Sequence, residues 1–215
     1  MNRIPFHDGW TVARKLAAFE SREGAQAPVP VALPHDALRD LPRSPENDGG
    51  VHTGYIPGGV FTYTRQFEAP QEWADKTVLI EFEGVYRDAS VFINGDSVAH
   101  EPNGYAAFTI TADPLLRFGE TNRWYTGAGI YRPVHLVVAD AVHLALDGTT
   151  VTTDDIDAER AIASIGTRVR NTTRRTRTLR LEWQILAPSG AVVVTNSAPV
   201  TVLPGEDAIA RTRLV

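Results

Sequence analysis

The sequence predicts an all-β chain made of antiparallel sandwiches. Its strand-like segments are short and are separated by turn residues, which is typical of a sandwich. Alternate residues from Phe61 to Phe67 are large, so they lie on one side of a strand with a period of two. Asn94-Gly95 is the strongest local signal for a hairpin, because both residues tolerate the positive φ of its turn.

The first third of the chain is less regular. Phe6-His-Asp-Gly-Trp10 contains a turn signal, Asp8-Gly9, between two aromatic residues. Ala13 to Glu23 is the only segment whose pattern favours a helix. Ala27 to Pro34 alternates proline with valine and leucine, which favours an extended strand at a sheet edge.

Leu33-Pro-His-Asp-Ala37 is predicted to be a turn. His35 and Asp36 are interpreted as a polar corner that caps the next segment. A catalytic His–Asp pair would need a nucleophile, which the sequence does not supply. Leu41 to Gly59 follows as a loop with three Pro and five Gly. Loops of this length without regular structure are usually functional or disordered.

From Val60 onward the chain reads as strands in two groups. After the strand that begins at Val60, those of the first group are Val78–Phe82, Ala89–Ile93, Ser97–His100, Tyr105–Ile110 and Val134–Val138. Those of the second group, which begins after Asp140, are Val142–Val151, Ala163–Val169, Leu179–Leu186, Ala191–Thr195 and Val200–Leu203. The sequence therefore predicts two domains, residues 1–139 and residues 140–215.

Composition excludes several classes of function. The formal net charge of -5 argues against nucleic acid or an anionic membrane as the main partner. The chain has no cysteine, so it has neither disulfides nor thiolate metal sites. The six histidines lack metal-ligand spacing, and no cofactor or metal is expected. Met1 to Trp10 has no secretory signal, and no apolar run approaches about 20 residues, so a cytoplasmic protein without membrane spans is expected.

Two charged clusters have simple interpretations. Asp154-Asp-Ile-Asp157 has oxygen ligands that Ca²⁺ uses, but without the spacing of an EF-hand it is interpreted as a solvated turn. The arginines from Arg168 to Arg180 resemble a nucleic-acid patch. They bracket Asn171-Thr-Thr173, however, and a solvated hairpin fits the acidic total better.

The most informative stretch is Arg123-Trp-Tyr-Thr-Gly-Ala-Gly-Ile-Tyr-Arg132, which is followed by the β-branched run Val134 to Val138. Aromatic residues beside Gly127 and Gly129 suit a tight bend, because glycine reaches positive φ without strain. The run after them is typical of a buried strand. This bent corner resembles the segment that closes the N-terminal sugar-binding domain of family 2 glycoside hydrolases, and is most similar to bacterial β-galactosidases.

Other motifs strengthen this resemblance, which covers about Phe6 to Leu136. The elements similar to those of the family are Leu33-Pro-His-Asp36, Gly54-Tyr-Ile-Pro-Gly-Gly59, Gly84-Val-Tyr-Arg-Asp-Ala-Ser-Val-Phe-Ile-Asn-Gly95 and Asn103-Gly-Tyr-Ala-Ala-Phe108. Each motif alone is weak, whereas the combination is specific. The resemblance implies a galactose-binding-like jelly-roll sandwich followed by an immunoglobulin-like sandwich. From Ala141 the chain is shorter than the roughly 100 residues of that second fold, so it is expected to be incomplete.

The resemblance also implies that this chain is not catalytic. The two carboxylates of such enzymes lie on a (β/α)₈ barrel that follows the immunoglobulin-like domain. No barrel sequence is present, and Glu81, Glu83 and Glu101 lie on predicted strands of the first sandwich. The parent is expected to be a retaining β-galactosidase. This chain would pack on the missing barrel, shape its substrate pocket and contribute to contacts in a homo-oligomer.

Five residues are candidate sugar contacts under the resemblance: Asn47, Asp48, Arg87, Asp88 and Trp124. The loop that holds the first two leans toward the barrel mouth in relatives, although both could be solvated loop residues. Arg87 and Asp88 could contact sugar or could form an ion pair at a strand end, which gives little stability if exposed.

The chain departs from the family pattern between Gly119 and Trp124. In relatives a further strand and a polar lead-in separate this Gly-x-x-Asn element from the Arg-Trp-Tyr corner, whereas here Asn122 is followed directly by Arg123. The lead-in of β-galactosidases carries an acidic residue where this chain has Thr121. Loss of a central strand would leave ladder groups unpaired, which argues against sugar binding through this corner.

Two other functions stay open. A stand-alone carbohydrate-binding module would present Trp124 or Tyr125 to solvent as an aromatic platform. A truncated gene product without function would be poorly soluble, because its unpaired sheet edges would associate.

Overall fold

The computed structural model describes residues 1–15, 27–39, 41–47, 50–112, 120–127 and 129–215, with backbone only for 53, 120–127 and 154–155. This part of the chain is all-β, which confirms the predicted fold class. It divides into two compact units, Met1–Val138 and Ala139–Val215. Short 3₁₀ helices occur at Gly50–Thr53 and Gln71–Trp73. No helix among the described residues is long and apolar enough to cross a membrane.

The first unit is a sandwich of two antiparallel sheets with a short third sheet. Its strands are β1 (Asn2–Pro5), β2 (Trp10–Lys15), β3 (Val29–Val31), β4 (His35–Asp36), β5 (Val60–Glu68), β6 (Lys76–Phe82), β7 (Ala89–Ile93), β8 (Asp96–Glu101), β9 (Phe108–Thr111), β10 (Glu120–Gly127), β11 (Gly129–Ile130) and β12 (Val134–Asp140). The sheets have the orders β1-β12-β6-β9, β3-β2-β5-β10-β7-β8 and β11-β4.

The core of the first unit lies between the two larger sheets. One sheet contributes Ile80 and Phe82 from β6, and the other contributes Trp10, Tyr63 and Val91, all of them almost fully buried. The Trp10 indole donates to the carbonyl oxygen of Phe6 at 2.8 Å, so its polar N–H is satisfied within the core. The period-2 pattern of β5 therefore places its large residues inward.

Strand β10 overturns the prediction that a central strand is missing. Its backbone lies between β5 and β7, with Arg123 opposite Arg65 on one side and opposite Ile93 on the other. Residues 123–127, the first half of the predicted corner, belong to this strand. The ladder groups of β5 and β7 are thereby paired, which removes the cost of leaving them exposed.

The bend at Gly129 also differs from the prediction. The backbone of Gly129 is not left-handed, and a Cβ atom there would lie 2.8 Å from the carbonyl oxygen of His35. Gly129 pairs with Asp36 between β11 and β4. Glycine is needed here because two backbones approach closely, and not because φ is positive.

Several local predictions are confirmed. Asn94 and Gly95 have φ values of 54° and 92° in the β7–β8 hairpin, as the turn requires. Among the described residues, Val29–Val31 pairs with β2 alone and lies at the edge of its sheet. The Asp36 carboxylate accepts a hydrogen bond from the Leu38 amide at 2.9 Å, which is the predicted polar cap.

Other local predictions are wrong. Residues 13–15 belong to β2, so the predicted helix does not begin there, and its remainder (16–23) lies outside the described residues. The strand predicted from Tyr105 begins at Phe108. The segments predicted at Ala191–Thr195 and Val200–Leu203 merge into one strand, β16 (Val192–Val202), because its pairing with β15 (Arg177–Leu186) continues through Pro199. Both strands of this two-stranded sheet are edge strands, where proline is tolerated.

The second unit packs a three-stranded sheet on a two-stranded sheet. Its strands are β13 (Val142–Ile156), β14 (Ala161–Asn171), β15 (Arg177–Leu186), β16 (Val192–Val202) and β17 (Asp207–Leu214), in the orders β13-β14-β17 and β15-β16. Val169, Leu181 and Val202 lie in its core. The buried Trp183 indole donates to the Thr167 hydroxyl at 2.9 Å and links the two sheets.

The predicted turn at Asp154–Asp157 begins only at Asp157, because residues 154–156 belong to β13, whereas the hairpin predicted around Asn171 is present. Strand β13 runs to Ile156, and Asp157 then accepts hydrogen bonds from the amides of Glu159 and Arg160. Asn171 ends β14 at the predicted hairpin, where its buried side chain donates to the carbonyl oxygen of Arg175 at 2.8 Å.

Candidate functional site

A group of aromatic and cationic side chains lies on three loops of the first unit. We call it the tyrosine–arginine patch, and its members are Tyr86, Arg87, Tyr105, Tyr131 and Arg132. The loops join β6 to β7, β8 to β9 and β11 to β12. Tyr86 exchanges two backbone hydrogen bonds with Gly129, of 3.0 and 3.1 Å, so the first loop is tied to the glycine-containing motif.

The rings and guanidinium groups of the patch are fixed by mutual contacts. The Tyr86 and Tyr105 rings meet edge to face, with centroids 5.8 Å apart. The Arg87 guanidinium lies 5.9 Å from the Tyr86 centroid, and that of Arg132 lies 5.6 Å from the Tyr131 centroid. Each of these cation–π contacts contributes about 0.5–1 kcal/mol at an exposed site. The Tyr131 hydroxyl donates to the carbonyl oxygen of Gly104 at 2.8 Å, which joins two of the loops.

Two glycines allow the loops to approach. A Cβ atom on Gly84 would lie 2.9 Å from the Tyr131 ring, and one on Gly104 would lie 2.7 Å from the Tyr86 ring. Both glycines are buried. The arrangement of the patch therefore depends on glycine at these two positions, and a larger residue would push the tyrosines apart.

The patch is accessible to a partner. Tyr105 is 71% exposed and Tyr86 is 37% exposed. Among the described residues, neither Arg87 nor Arg132 has a carboxylate partner, so both cations remain available. Tyrosine and arginine are the residues that dominate protein interfaces, and exposed tyrosine rings also stack on sugar rings. The chemistry of the patch suits binding and not bond cleavage.

Arg87 and Asp88 are placed differently from the predicted ion pair. Asp88, with a φ of 60°, lies 3.2 Å from the Nε2 atom of His100, and both side chains are largely exposed. Arg87 instead joins the patch through Tyr86. The predicted pairing of the two neighbours does not occur, because the left-handed backbone at Asp88 turns the two side chains toward different partners.

The structure describes the side chain of only one of the other three candidate residues, Asn47. The Asn47 side chain donates to the carbonyl oxygen of Tyr55 at 2.6 Å and so holds its own loop together. Asp48 lies outside the described residues. The Trp124 backbone pairs with Thr64 and Phe92 within β10, while its side chain lies outside the described part. Thr121 also lies on β10, where its backbone pairs with Phe67 of β5.

Sequence reasoning missed Tyr86, Tyr105, Tyr131 and Arg132 as site residues. Each of them lies within a motif that was recognised, and three lie within two residues of a glycine that the loops need. The missing information was exposure. A tyrosine beside a turn glycine is equally compatible with a core position, and only the loop packing separates the two.

A second cluster joins titratable groups on the other sheet of the first unit. Arg3 donates to Glu81 and to Glu83, each at 2.7 Å. The buried His135 ring places Nδ1 3.8 Å from Glu81 and 3.6 Å from Glu83, and its ring meets that of His7 at 5.5 Å. Glu81 on β6 and Glu83, just after the end of that strand, both accept hydrogen bonds from the same arginine. No substrate can therefore lie between them, as glycoside hydrolysis by two carboxylates requires.

The His135 environment disfavours its charged form. Burial lowers the pKa of His135 from 6.5, and the positive charge of Arg3 lowers this pKa further, although Glu81 and Glu83 oppose both effects. Just below pH 6.5, His135 is therefore protonated in the unfolded chain but stays neutral in the folded chain. Stability is retained above this pH and is lost as the pH falls toward the folded-state pKa.

We therefore expect the stability of the first unit to fall on acidification from pH 7.5 to 5.5, with a contribution from His135. Replacing this residue, His135→Gln, should flatten the slope by up to about 1.4 kcal/mol per pH unit. Urea titrations at several pH values measure it. His52→Gln, at an exposed position, is the control. An unchanged slope in His135→Gln would contradict the assignment.

Comparison with known proteins shows what the chain as a whole is similar to. No family model matches the chain. The chain is 37% identical over 153 residues to the β-galactosidase BoGH2A of Bacteroides ovatus, a match of 65% of this chain and 18% of that protein. It is 28% identical over 212 residues to a β-glucuronidase of Formosa agariphila, covering 82% of this chain and 22% of that protein. The chain thus spans less than a quarter of each of these relatives.

Solved structures show the same fold. A glycosyl hydrolase family 2 member from Bacteroides cellulosilyticus superposes with a TM-score of 0.86 at 24% identity, over 99% of this chain and 30% of that one. A β-glucuronidase from Bacteroides uniformis gives a TM-score of 0.84 at 22% identity, over 100% of this chain and 27% of that one.

Proposed function

Because the chain is homologous to the N-terminal region of family 2 glycoside hydrolases, we propose that it is the non-catalytic N-terminal portion of such an enzyme. Its role is to pack on a catalytic (β/α)₈ barrel and to form one wall of the substrate pocket. The first unit is a galactose-binding-like jelly roll, and the second is an incomplete immunoglobulin-like sandwich. One observation carries this proposal. The chain matches relatives named as glycosidases, but it spans less than a quarter of the length of each.

The tyrosine–arginine patch is the surface that we propose faces the barrel and its substrate. The patch includes Arg87, which is one of the candidate sugar contacts. Its shape is fixed by the close packing of loops at Gly84 and Gly104. A pre-organised surface loses little conformational entropy on docking. The exposed Tyr105 ring and the guanidinium groups of Arg87 and Arg132, which have no carboxylate partner among the described residues, then supply the anchors that such an interface needs.

We propose terminal β-galactosides as the substrates of the parent enzyme. Support comes from the higher identity to the Bacteroides ovatus β-galactosidase, 37%, compared with 28% for the Formosa agariphila β-glucuronidase. The relatives include both activities, so the parent should be assayed on both substrates. The aryl β-galactoside is expected to be the better one.

A stand-alone carbohydrate-binding module is the second candidate. It is favoured by the exposure of Tyr105, which leaves an aromatic face open to solvent as such modules require. This function predicts saturable sugar binding by the chain itself. The scaffold function instead predicts that affinity appears only when the barrel completes the pocket.

Titration calorimetry with β-1,4-linked galactose oligosaccharides separates the two functions. For the chain alone we expect a Kd weaker than about 1 mM, which corresponds to less than about 4 kcal/mol of binding free energy. Tyr105→Ala should leave this result unchanged, as should Val193→Ala, an exposed control in the second unit. Submillimolar binding that is lost in Tyr105→Ala and kept in Val193→Ala would establish the carbohydrate-binding module instead.

A further inference from the structure

The outer face of the β13-β14-β17 sheet carries a groove that the proposed function does not use. The groove has a volume of about 480 Å³. The outer-face residues that line it are Thr150, Thr152, Ser164, Gly166, Arg211 and Arg213. Core residues such as Ile165 and Val169 point to the opposite face, since side chains alternate along a strand. We call this feature the β14 groove.

The strand register aligns these residues in two rows across the sheet. In one row Thr150 lies opposite Gly166, which lies opposite Arg211. In the next row Thr152 lies opposite Ser164, which lies opposite Arg213. Hydroxyl groups therefore form one side of the groove and guanidinium groups form the other. The two arginines are two residues apart on one strand, so their Cα atoms are about 7 Å apart.

Gly166 forms the floor of the groove. It is the central residue of its row, and a Cβ atom there would lie 3.0 Å from the Thr150 hydroxyl oxygen. The absence of a side chain in the middle of β14 leaves a depression between the hydroxyls and the guanidinium groups. Glycine weakens the interior of a strand, and its presence there often marks the close approach of a ligand.

The two guanidinium groups are unneutralised within the described structure. No described carboxylate pairs with Arg211 or Arg213. Asp207 projects from the same face of β17, but Arg170 holds it through hydrogen bonds of 2.7 and 3.0 Å. The Arg170 guanidinium lowers the pKa of the Asp207 carboxyl, so this carboxylate stays ionised and committed to its partner. The groove is thus a locally cationic site on a chain whose formal net charge is -5.

We propose that the β14 groove binds an acidic oligosaccharide built from uronic acid units. Arg211 and Arg213 would each pair with a carboxylate of the sugar chain, because guanidinium and carboxylate groups match in geometry. The hydroxyls of Thr150 and Thr152 would exchange hydrogen bonds with ring hydroxyls of the sugars. This site lies in the second unit and is independent of the tyrosine–arginine patch.

A saccharide fits the groove better than a nucleic acid does. Single-stranded nucleic acid is held by aromatic side chains on which its bases stack, and the lining of the groove contains no aromatic residue. A row of hydroxyls beside a row of cations instead matches a chain whose units carry both hydroxyl and carboxylate groups.

Titration calorimetry of the full chain with a hexamer of galacturonic acid tests the proposal. We expect saturable binding that weakens at least about tenfold in the double variant Arg211→Gln, Arg213→Gln, since each charge-assisted hydrogen bond contributes more than about 1.4 kcal/mol. The fully methyl-esterified hexamer, which lacks the carboxylate charges, should bind at least about tenfold more weakly. The matched control is Arg174→Gln, Arg175→Gln, which removes the same charge from the exposed hairpin and should change the affinity less than about twofold.

A second variant separates the shape of the groove from its charge. Gly166→Ala keeps every charge but fills the floor of the groove, so it should also weaken binding at least about threefold. Its thermal unfolding temperature should stay near that of the unsubstituted chain. The proposal is overturned if the hexamer does not bind, if substituting either arginine pair weakens binding equally, or if Gly166→Ala binds the hexamer as well as the unsubstituted chain does. If a DNA oligonucleotide of the same charge bound equally well, the proposal would also be overturned, because the groove would then attract anions non-specifically.

Discussion

Replacing Gly129 by valine is expected to lower the free energy of unfolding of the first unit by about 3 kcal/mol or more. Gly129 is buried, and a Cβ atom there would lie 2.8 Å from the carbonyl oxygen of His35 and 3.1 Å from the Cα atom of Asp36. Both are backbone atoms and cannot rotate away. On its other side Gly129 is held by two hydrogen bonds to the Tyr86 backbone, so the strand cannot shift without breaking them.

Urea denaturation followed by tryptophan fluorescence measures this effect. Gly58→Val is the matched control, because nothing lies within 4 Å of the position where its Cβ atom would be placed. Gly129→Ala should give an intermediate loss, since it adds the same clash with fewer atoms. A Gly129→Val variant as stable as Gly58→Val would show that β4 and β11 do not approach as described.

The same substitution should disturb the tyrosine–arginine patch. Tyr86 is anchored to Gly129 by its backbone, and Tyr131 follows β11 directly. A shift of β11 therefore moves two of the three patch tyrosines. The corner motif is thus better understood as the support of a surface than as a surface itself.

The fold was largely predictable from local signals, because those signals were strong where turns are tight. The Asn94-Gly95 hairpin, the edge strand at Val29–Val31 and the cap at Asp36 follow from turn chemistry and proline placement. These features depend on residues close in sequence. No distant contact is needed to specify them.

The errors came from contacts that are distant in sequence. Residues 123–127 were expected to form part of a bent corner, yet pairing with β5 and β7 places them in a central strand. Residues 13–15 carry a helical pattern, but β5 pairs with them. In each case the tertiary pairing of backbone groups outweighs a weak local preference.

The candidate site was predictable only in part for a related reason. Arg87 was named in advance, whereas the aromatic residues around it were not. Whether Tyr86 and Tyr105 are buried depends on how closely two loops approach at Gly84 and Gly104. Sequence spacing does not contain this distance. The solvent exposure of these tyrosines, which the sequence does not give, is therefore what was needed to recognise them as members of the patch.

The second large effect concerns activity: the chain alone is expected to give no hydrolysis of aryl β-galactosides or aryl β-glucuronides. Glycoside hydrolysis needs two carboxylates on opposite sides of the scissile bond. Glu81 on β6 and Glu83, just beyond the end of that strand, are both bound by the one side chain of Arg3.

A purified chain should therefore be assayed with 4-nitrophenyl β-galactoside and 4-nitrophenyl β-glucuronide, beside the double variant Glu81→Gln, Glu83→Gln. The scaffold account predicts that release of nitrophenol by both proteins equals that of buffer. Turnover by the natural chain that disappears in the double variant would contradict the account, because it would place the chemistry within this domain.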